Sequence, residues 1–333
     1  MHIHLVFILL CLSISSFNTL ADDTTDCLLD ALASANDQTR IGTLKNHCAQ
    51  EIEDQTTLRE RFRIEQITED SEFVITPHRQ NYVLLASYND HPNQAPWLLQ
   101  NTFPNVNKPV QNEEAKLQIS FKVPLTQEDI FFNGDGLYFG FTLKSFWQVY
   151  NKKLSAPFRE TNYRPEIFYQ APIKRSLWGG TLFARTGLEH ESNGRSQLLS
   201  RSWNRVFLGV GFQRDRWALY AQPWYRLPES EKIDDNDPLT PPPAEGDDNP
   251  DIEDYYGNYE FLAIYNYHRY EFSSQLRSNF STGKAAIEAG VSFPLWGRLK
   301  GYVQFFNGYG ESLIDYNHSV QRVSVGILLT DFL

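Results

Sequence analysis

In two well-separated stretches of this chain, apolar and polar residues change places at every step. Leu117, Ile119, Phe121 and Val123 interleave with Lys116, Gln118, Ser120 and Lys122, and Val323, Val325, Ile327 and Leu329 interleave with Arg322, Ser324 and Gly326. A period of two puts the two sets on opposite faces of a strand, whereas a helix needs a period near 3.6. Segments of the same kind near 81–88, 115–124, 137–149, 164–173, 178–192, 203–213, 216–226, 256–267, 269–280, 284–294, 298–308 and 320–332 make twelve candidate strands.

Alternation also suits a β-sandwich, and three further features favour a barrel. Segments of about ten residues match a tilted strand that crosses a bilayer. Short links (Lys174 to Leu177, Gln213 to Arg216, Pro294 to Arg298) alternate with long ones (Tyr150 to Tyr163, Asn193 to Ser202, Leu227 to Asp254). Outer-membrane barrels have this asymmetry between their two rims. The chain also ends in the apolar, aromatic-containing Asp331-Phe332-Leu333. The expected fold is all-β: a twelve-stranded antiparallel transmembrane β-barrel over residues 79–333. It must be closed, because lipid cannot satisfy an open sheet edge.

Composition narrows the alternatives. Mean hydropathy is −0.45, and only the first twenty residues form a run apolar enough for a spanning helix. A bundle of membrane helices is therefore excluded. An aromatic content of 14% argues against disorder. A net charge of −11 argues against a nucleic-acid partner. Almost all of that charge is local: Glu229 to Asp254 carries eleven acidic residues and one Lys, with Pro238 and Pro241-Pro242-Pro243 among them. Such a segment reads equally as a solvated loop with no specific partner.

Residues 1–21, with an apolar stretch from Leu5 to Leu12 and Thr19-Leu20-Ala21 before an acidic start, read as a secretory signal peptide. Its n-region has His2 and His4 in place of Lys or Arg, and Cys11 leaves with it. Residues 22–78 are polar and charged and read as an N-terminal periplasmic extension. In an oxidising compartment its Cys27 and Cys48 can form a disulfide, or they remain two free thiols.

The chemistry concentrates around residue 197. Along 178–192 the even positions end in Leu188, His190 and Ser192, while Arg185, Glu189 and Glu191 occupy odd ones. In a membrane barrel the apolar set faces lipid, so His190 and Ser192 point outward. Asn204 shares a face with Val206, Leu208, Val210 and Phe212 and is outward too. Positions 190 and 204 are symmetric about 197, so a hairpin centred there makes them cross-strand neighbours. A hydroxyl, an imidazole and a group that orients the imidazole are the parts of a nucleophilic triad. Polar groups on a lipid-facing wall are costly unless they have a role. Interfacial polar residues with no chemistry are the bland reading of the same spacing. Arg185, Glu166, Glu189 and Glu191 read as an inward network that fills the lumen, the strand-end Tyr and Trp residues as interfacial anchors, and His268 as a residue of a short-rim turn.

The segment His190-x-Ser192-Asn193-Gly194-Arg195-Ser196, with Ser200-Arg201-Ser202-Trp203-Asn204-Arg205, closely resembles the outer membrane phospholipase A family. So do the blocks Ser155 to Tyr163 and Gly308 to Tyr316, and the resemblance covers about residues 73–333. It implies a calcium-dependent serine hydrolase, active as a homodimer in the outer membrane of a Gram-negative bacterium, that cleaves either acyl ester of phospholipids and lysophospholipids. By position, Ser192 matches the nucleophile, His190 the base and Asn204 the orienting residue, with the Gly194 amide helping to hold the oxyanion. The resemblance also implies Ca2+ bound by the Arg195 carbonyl, the Ser200 hydroxyl and Ser155 of a second subunit, and Asp248 matches an acid of the monomer's calcium site. Gln197 stands where relatives can carry Asp, a departure that bears on that site. Two other functions fit parts of the pattern: a catalytically inactive barrel acting as a channel or structural protein, and a soluble esterase built on a sandwich.

Overall fold

A computed structural model of the chain describes residues 75–99, 109–233, 243, 245–297 and 299–330, together with Leu32, Gly42 and Thr43. The expected signal peptide of residues 1–21, Cys27, Cys48 and Asp331-Phe332-Leu333 lie outside the described residues. The chain divides into Met1–Thr57 and Leu58–Leu333, and the barrel belongs to the second unit.

The strands are β1 (Thr76–Pro77), β2 (Asn81–Asn89), β3 (Glu113–Pro124), β4 (Gly136–Trp147), β5 (Phe158–Leu177), β6 (Gly180–Ser192) and β7 (Ser202–Arg214). They continue with β8 (Trp217–Arg226), β9 (Tyr259–Tyr267), β10 (Tyr270–Asn279), β11 (Lys284–Trp296), β12 (Leu299–Tyr309) and β13 (Ser319–Thr330). Each of β2 to β13 pairs antiparallel with its sequence neighbours, and β13 pairs with β2. That closes a ring of twelve strands and removes the sandwich alternative. The short β1 adds to β3 through Thr76↔Lys122 and Pro77↔Phe121.

Two differences from the expected elements have a physical cause. Pairing begins at Thr76, five residues before the first expected strand, in a piece too short to show a period. β5 begins at Phe158, inside the segment expected to be loop. Arg159, Glu160 and Asn162 look like loop residues, yet all three are buried in the barrel.

The faces are inverted relative to a water-soluble barrel. Ile119, Ile167, Leu188, Leu208, Val323 and Leu329 are exposed, whereas Lys116, Glu166, Glu189, Arg205 and Arg322 are buried. An apolar outside and a polar inside is the pattern of a strand that meets lipid. Inside, His78 Nε2 lies 2.6 Å from Glu166 Oε1, Arg164 pairs with Glu189 at 2.6 Å, and Arg205 pairs with both Glu189 and Glu191. Arg185 lies 3.7 Å from Glu166. The inward network therefore forms, and His78 and Arg79 join it from outside the expected set.

The rim whose turns are mostly two residues long, with His268 in one of them and the 125–135 loop between β3 and β4 beside them, lies opposite the rim with the long loops. The long-loop mouth is filled. The helix α1 (Ala95–Leu99) supplies Trp97 to a cluster with Val110, Leu199 and Ile314. The helix α2 (Ile252–Tyr256) packs Ile252 and Tyr256 against Phe168, Trp203, Trp224 and Leu313.

Candidate active site

Strand register brings the expected residues together. His190 is paired with Asn204 and Ser192 with Ser202 across β6 and β7. His190 Nδ1 lies 2.9 Å from Asn204 Oδ1. The amide oxygen can only accept, so Nδ1 carries the proton and Nε2 keeps its lone pair. Leu188 and Val206 flank this pair on the lipid-facing wall, 57% and 38% exposed. Ser192 stands on the same face two residues beyond His190, and on its other side is paired with Tyr163 of β5. The hydrogen bonds formed here include His190–Asn204 but none between Ser192 and His190, a contact that often tightens only with substrate bound.

The loop that follows is organised by Asn193, which the sequence reading passed over. Its Oδ1 accepts from the amides of Arg195 at 3.3 Å and Arg201 at 3.0 Å. Its Nδ2 donates to the Leu199 carbonyl at 2.8 Å. The side chain thus ties both ends of the loop to its centre. Gly194 has φ +62, and a Cβ there would come within 3.2 Å of the Tyr163 ring, so glycine suits the position twice over.

The side chain of Arg195 is structural. Its Nε donates to Glu160 Oε2 at 3.1 Å, and its guanidinium lies over the Trp97 ring at 4.7 Å. Ser200 Oγ donates to Asp248 Oδ2 at 2.5 Å, and the Lys232 ammonium pairs with Asp248 Oδ1. Ser200 and Asp248 are therefore brought together, with Arg195 in the same loop as Ser200. Ser155 is elsewhere: it follows the short helical turn Lys152–Leu154, exposed and with φ +60, and has no contact with this group. Among the described residues there is no group of three or more His, Cys, Asp or Glu that could hold a metal. The available donors are a carboxylate, a hydroxyl and a carbonyl, hard oxygens of the kind Ca2+ takes, although fewer than its usual 6–8.

The other two motif blocks meet beneath the loop. Arg159 bonds Asp315 at 2.7 Å and Glu114 at 3.1 Å. Arg322 bonds Glu311 at 2.6 Å, and Asn162 Oδ1 accepts from the Leu313 amide at 3.1 Å. Burial opposes charge on Glu311, but Arg322 and Lys116 hold its carboxyl below the usual range. Glu160 joins this network to the loop, because it also accepts from Asn162 Nδ2 at 2.8 Å. These conspicuous blocks brace the wall that carries His190 and Ser192.

Fold and site together define an outer-membrane β-barrel with a histidine-centred polar cluster on its lipid-facing wall. Comparisons with known proteins are specific about the kind. The phospholipase A1 family profile matches residues 58–329. A putative phospholipase A1 of Neisseria meningitidis is 38% identical over 268 residues, covering 77% of this chain and 65% of that protein, just under two thirds of its length. Phospholipase A1 of Klebsiella pneumoniae is 36% identical over 269 residues, covering 79% and 84%. Outer membrane phospholipase A from Escherichia coli superposes with a TM-score of 0.69 at 32% identity, covering 79% of this chain and 95% of that one. The Salmonella typhi outer membrane phospholipase, solved as a dimer with bound calcium, gives the same TM-score at 33% identity and the same coverage. The chain belongs to the phospholipase A1 family, the outer membrane phospholipases A.

Proposed function

We propose that this protein hydrolyses acyl esters of phospholipids and lysophospholipids, at either glycerol position, on the outer wall of its barrel. The observation that carries the reading is the His190 Nδ1–Asn204 Oδ1 bond on a surface otherwise apolar. Asn204 fixes the tautomer in which Nε2 can accept a proton. Ser192 Oγ attacks the ester carbonyl as its proton passes to His190 Nε2. The Gly194 amide donates to the oxygen that becomes negative. His190 then returns the proton to the departing glycerol oxygen, leaving an acyl group on Ser192. Water, deprotonated by the same nitrogen, releases the fatty acid.

Calcium fits the donors of the 193–201 loop. The Arg195 carbonyl and the Ser200 hydroxyl would hold it, with Asp248 in the monomer and Ser155 of a second subunit in a homodimer. When bound it supplies positive charge beside the developing oxyanion. The dimeric, calcium-bound Salmonella relative supports this part of the reading. A passive channel needs an open lumen, and the buried pairs of Arg164, Glu189 and Arg205 weigh against that alternative.

The test is fatty-acid release from phosphatidylcholine in mixed micelles, with calcium, with chelator, and with Ser192→Ala. Release that needs calcium and disappears in the variant is the expected result. Release that survives Ser192→Ala would remove the nucleophile assignment, and release that survives chelation would remove the metal.

A further inference from the structure

Asn204 has two polar ends, and only one faces the imidazole. The other, Nδ2, donates to Glu229 Oε1 at 3.1 Å. Glu229 is the first of the eleven acidic residues of the 229–254 segment, and nothing in its spacing separates it from the other ten. Its position does. The backbone just before it is fastened to β7, where the Leu227 amide donates to the Asn204 carbonyl at 2.8 Å. The backbone just after it is fastened too, because the Asp247 amide donates to the Ser230 carbonyl at 2.8 Å. Glu229 is half-buried between these two clamps.

We infer that Glu229 is a positioning residue of the hydrolytic site. It selects the orientation of the Asn204 amide that leaves the oxygen facing His190. The inference rests on the Ser192-His190-Asn204 reading and adds to it.

The physical reason lies in the symmetry of an amide. Rotated by half a turn, Asn204 would present NH2 to the imidazole and favour the tautomer whose proton sits on Nε2, which cannot accept from Ser192. A carboxylate only accepts, so it binds the NH2 end alone and sets the rotation. A hydrogen bond with one ionised partner is also stronger than a neutral one. The chain of contacts is carboxylate, amide, imidazole: the negative charge that an Asp would bring to the imidazole directly sits one residue further out. In that arrangement Asn suits position 204 and Asp does not. Asp there would place two carboxylates within hydrogen-bond distance, where like charges oppose each other.

The experiment measures kcat and KM for phosphatidylcholine hydrolysis, with folding of each variant checked by heat-modifiable gel mobility. Glu229→Ala is expected to lower kcat about tenfold with KM unchanged, the size of one hydrogen bond to a charged group. Glu229→Gln keeps an acceptor oxygen but can also present its NH2, so it sets the rotation less firmly and is expected to lose kcat by an intermediate amount, about threefold. In an Asn204→Ala background, Glu229→Ala should have no further effect, because the residue it orients is gone. Asn204→Asp alone should be strongly impaired, and Asn204→Asp with Glu229→Gln should recover activity, a rescue that a merely structural glutamate would not give. A Glu229→Ala loss that persists undiminished without Asn204, a rise in KM alone, or no rescue in the double variant overturns the positioning role. Hydrolysis that survives Ser192→Ala overturns the underlying triad and this role with it.

Discussion

Ser200 and Asp248, 48 residues apart in sequence, are joined by a 2.5 Å hydrogen bond from hydroxyl to carboxylate. The other carboxylate oxygen is paired with the Lys232 ammonium. A cation tethered to the chain thus already neutralises the one acid among the proposed calcium ligands. Lys232→Met is expected to tighten calcium binding about fivefold, the size of a partly exposed ion pair, when titrated calorimetrically in detergent. Unchanged affinity in Lys232→Met would mean that Asp248 takes no part in holding the metal.

Arg159 is buried between Glu114 and Asp315 at the barrel mouth. Removing it leaves two carboxylates without their shared partner. Arg159→Met should destabilise the barrel by about 3–5 kcal/mol in denaturant titration followed by gel mobility. A loss below about 1 kcal/mol, the scale of an exposed pair, would show that water reaches these groups freely.

Asn193 makes three side-chain hydrogen bonds within a loop that carries Gly194, Arg195 and Ser200. Asn193→Ala should cost about 2 kcal/mol of stability. It should lower phospholipid hydrolysis by about a hundredfold, because the loop's donors lose their common anchor. Wild-type kcat in this variant would show that the backbone alone sets the loop.

Asp135 organises the turn at the short-loop rim. Its carboxylate accepts from the amides of Ile130, Phe131 and Phe132 and from the Tyr169 hydroxyl. Burial acts to raise its pKa, but those hydrogen bonds prevail and hold it at about 2. A lowered pKa stabilises the turn fully above the unfolded value of about 4, and that contribution disappears as the pH falls toward the folded value. Pepsin, which favours paired aromatic residues, should therefore spare the exposed Phe131–Phe132 bond at pH 4 and cut it near pH 2. Asp135→Asn should be cut at pH 4 already, and equal resistance of the two proteins there would count against the role of the carboxylate.

Alternation carried most of the architecture in the sequence, because lipid on one side and a packed lumen on the other repeat the same constraint along every strand. The meeting of His190 and Asn204 followed from it, since a hairpin centred on residue 197 fixes their register. The first residues of β5 read as loop for the same reason: Arg159, Glu160 and Asn162 are polar, yet they are buried inside the barrel. The partnership of His78 with Glu166 joins residues 88 apart that share no local pattern. Asn193 resembles any loop asparagine until its three partners are seen. Glu229 cannot be told from its acidic neighbours in the sequence, because only its contact with Asn204 of β7 selects it.

The seam between β13 and β2 joins the two ends of the barrel sequence. Tyr82 is paired with Leu328 and Asn89 with Arg322, so one edge of the first long strand has no partner until the last is made. Contacts of such separation are slow to find, since the intervening chain must first be brought round. Until they form, two unpaired edges stand in or beside the bilayer, where unsatisfied backbone groups are penalised severely. An assembly factor that shelters those edges would act before the ring closes, and the proposed hydrolysis would begin only after the final strand is seated.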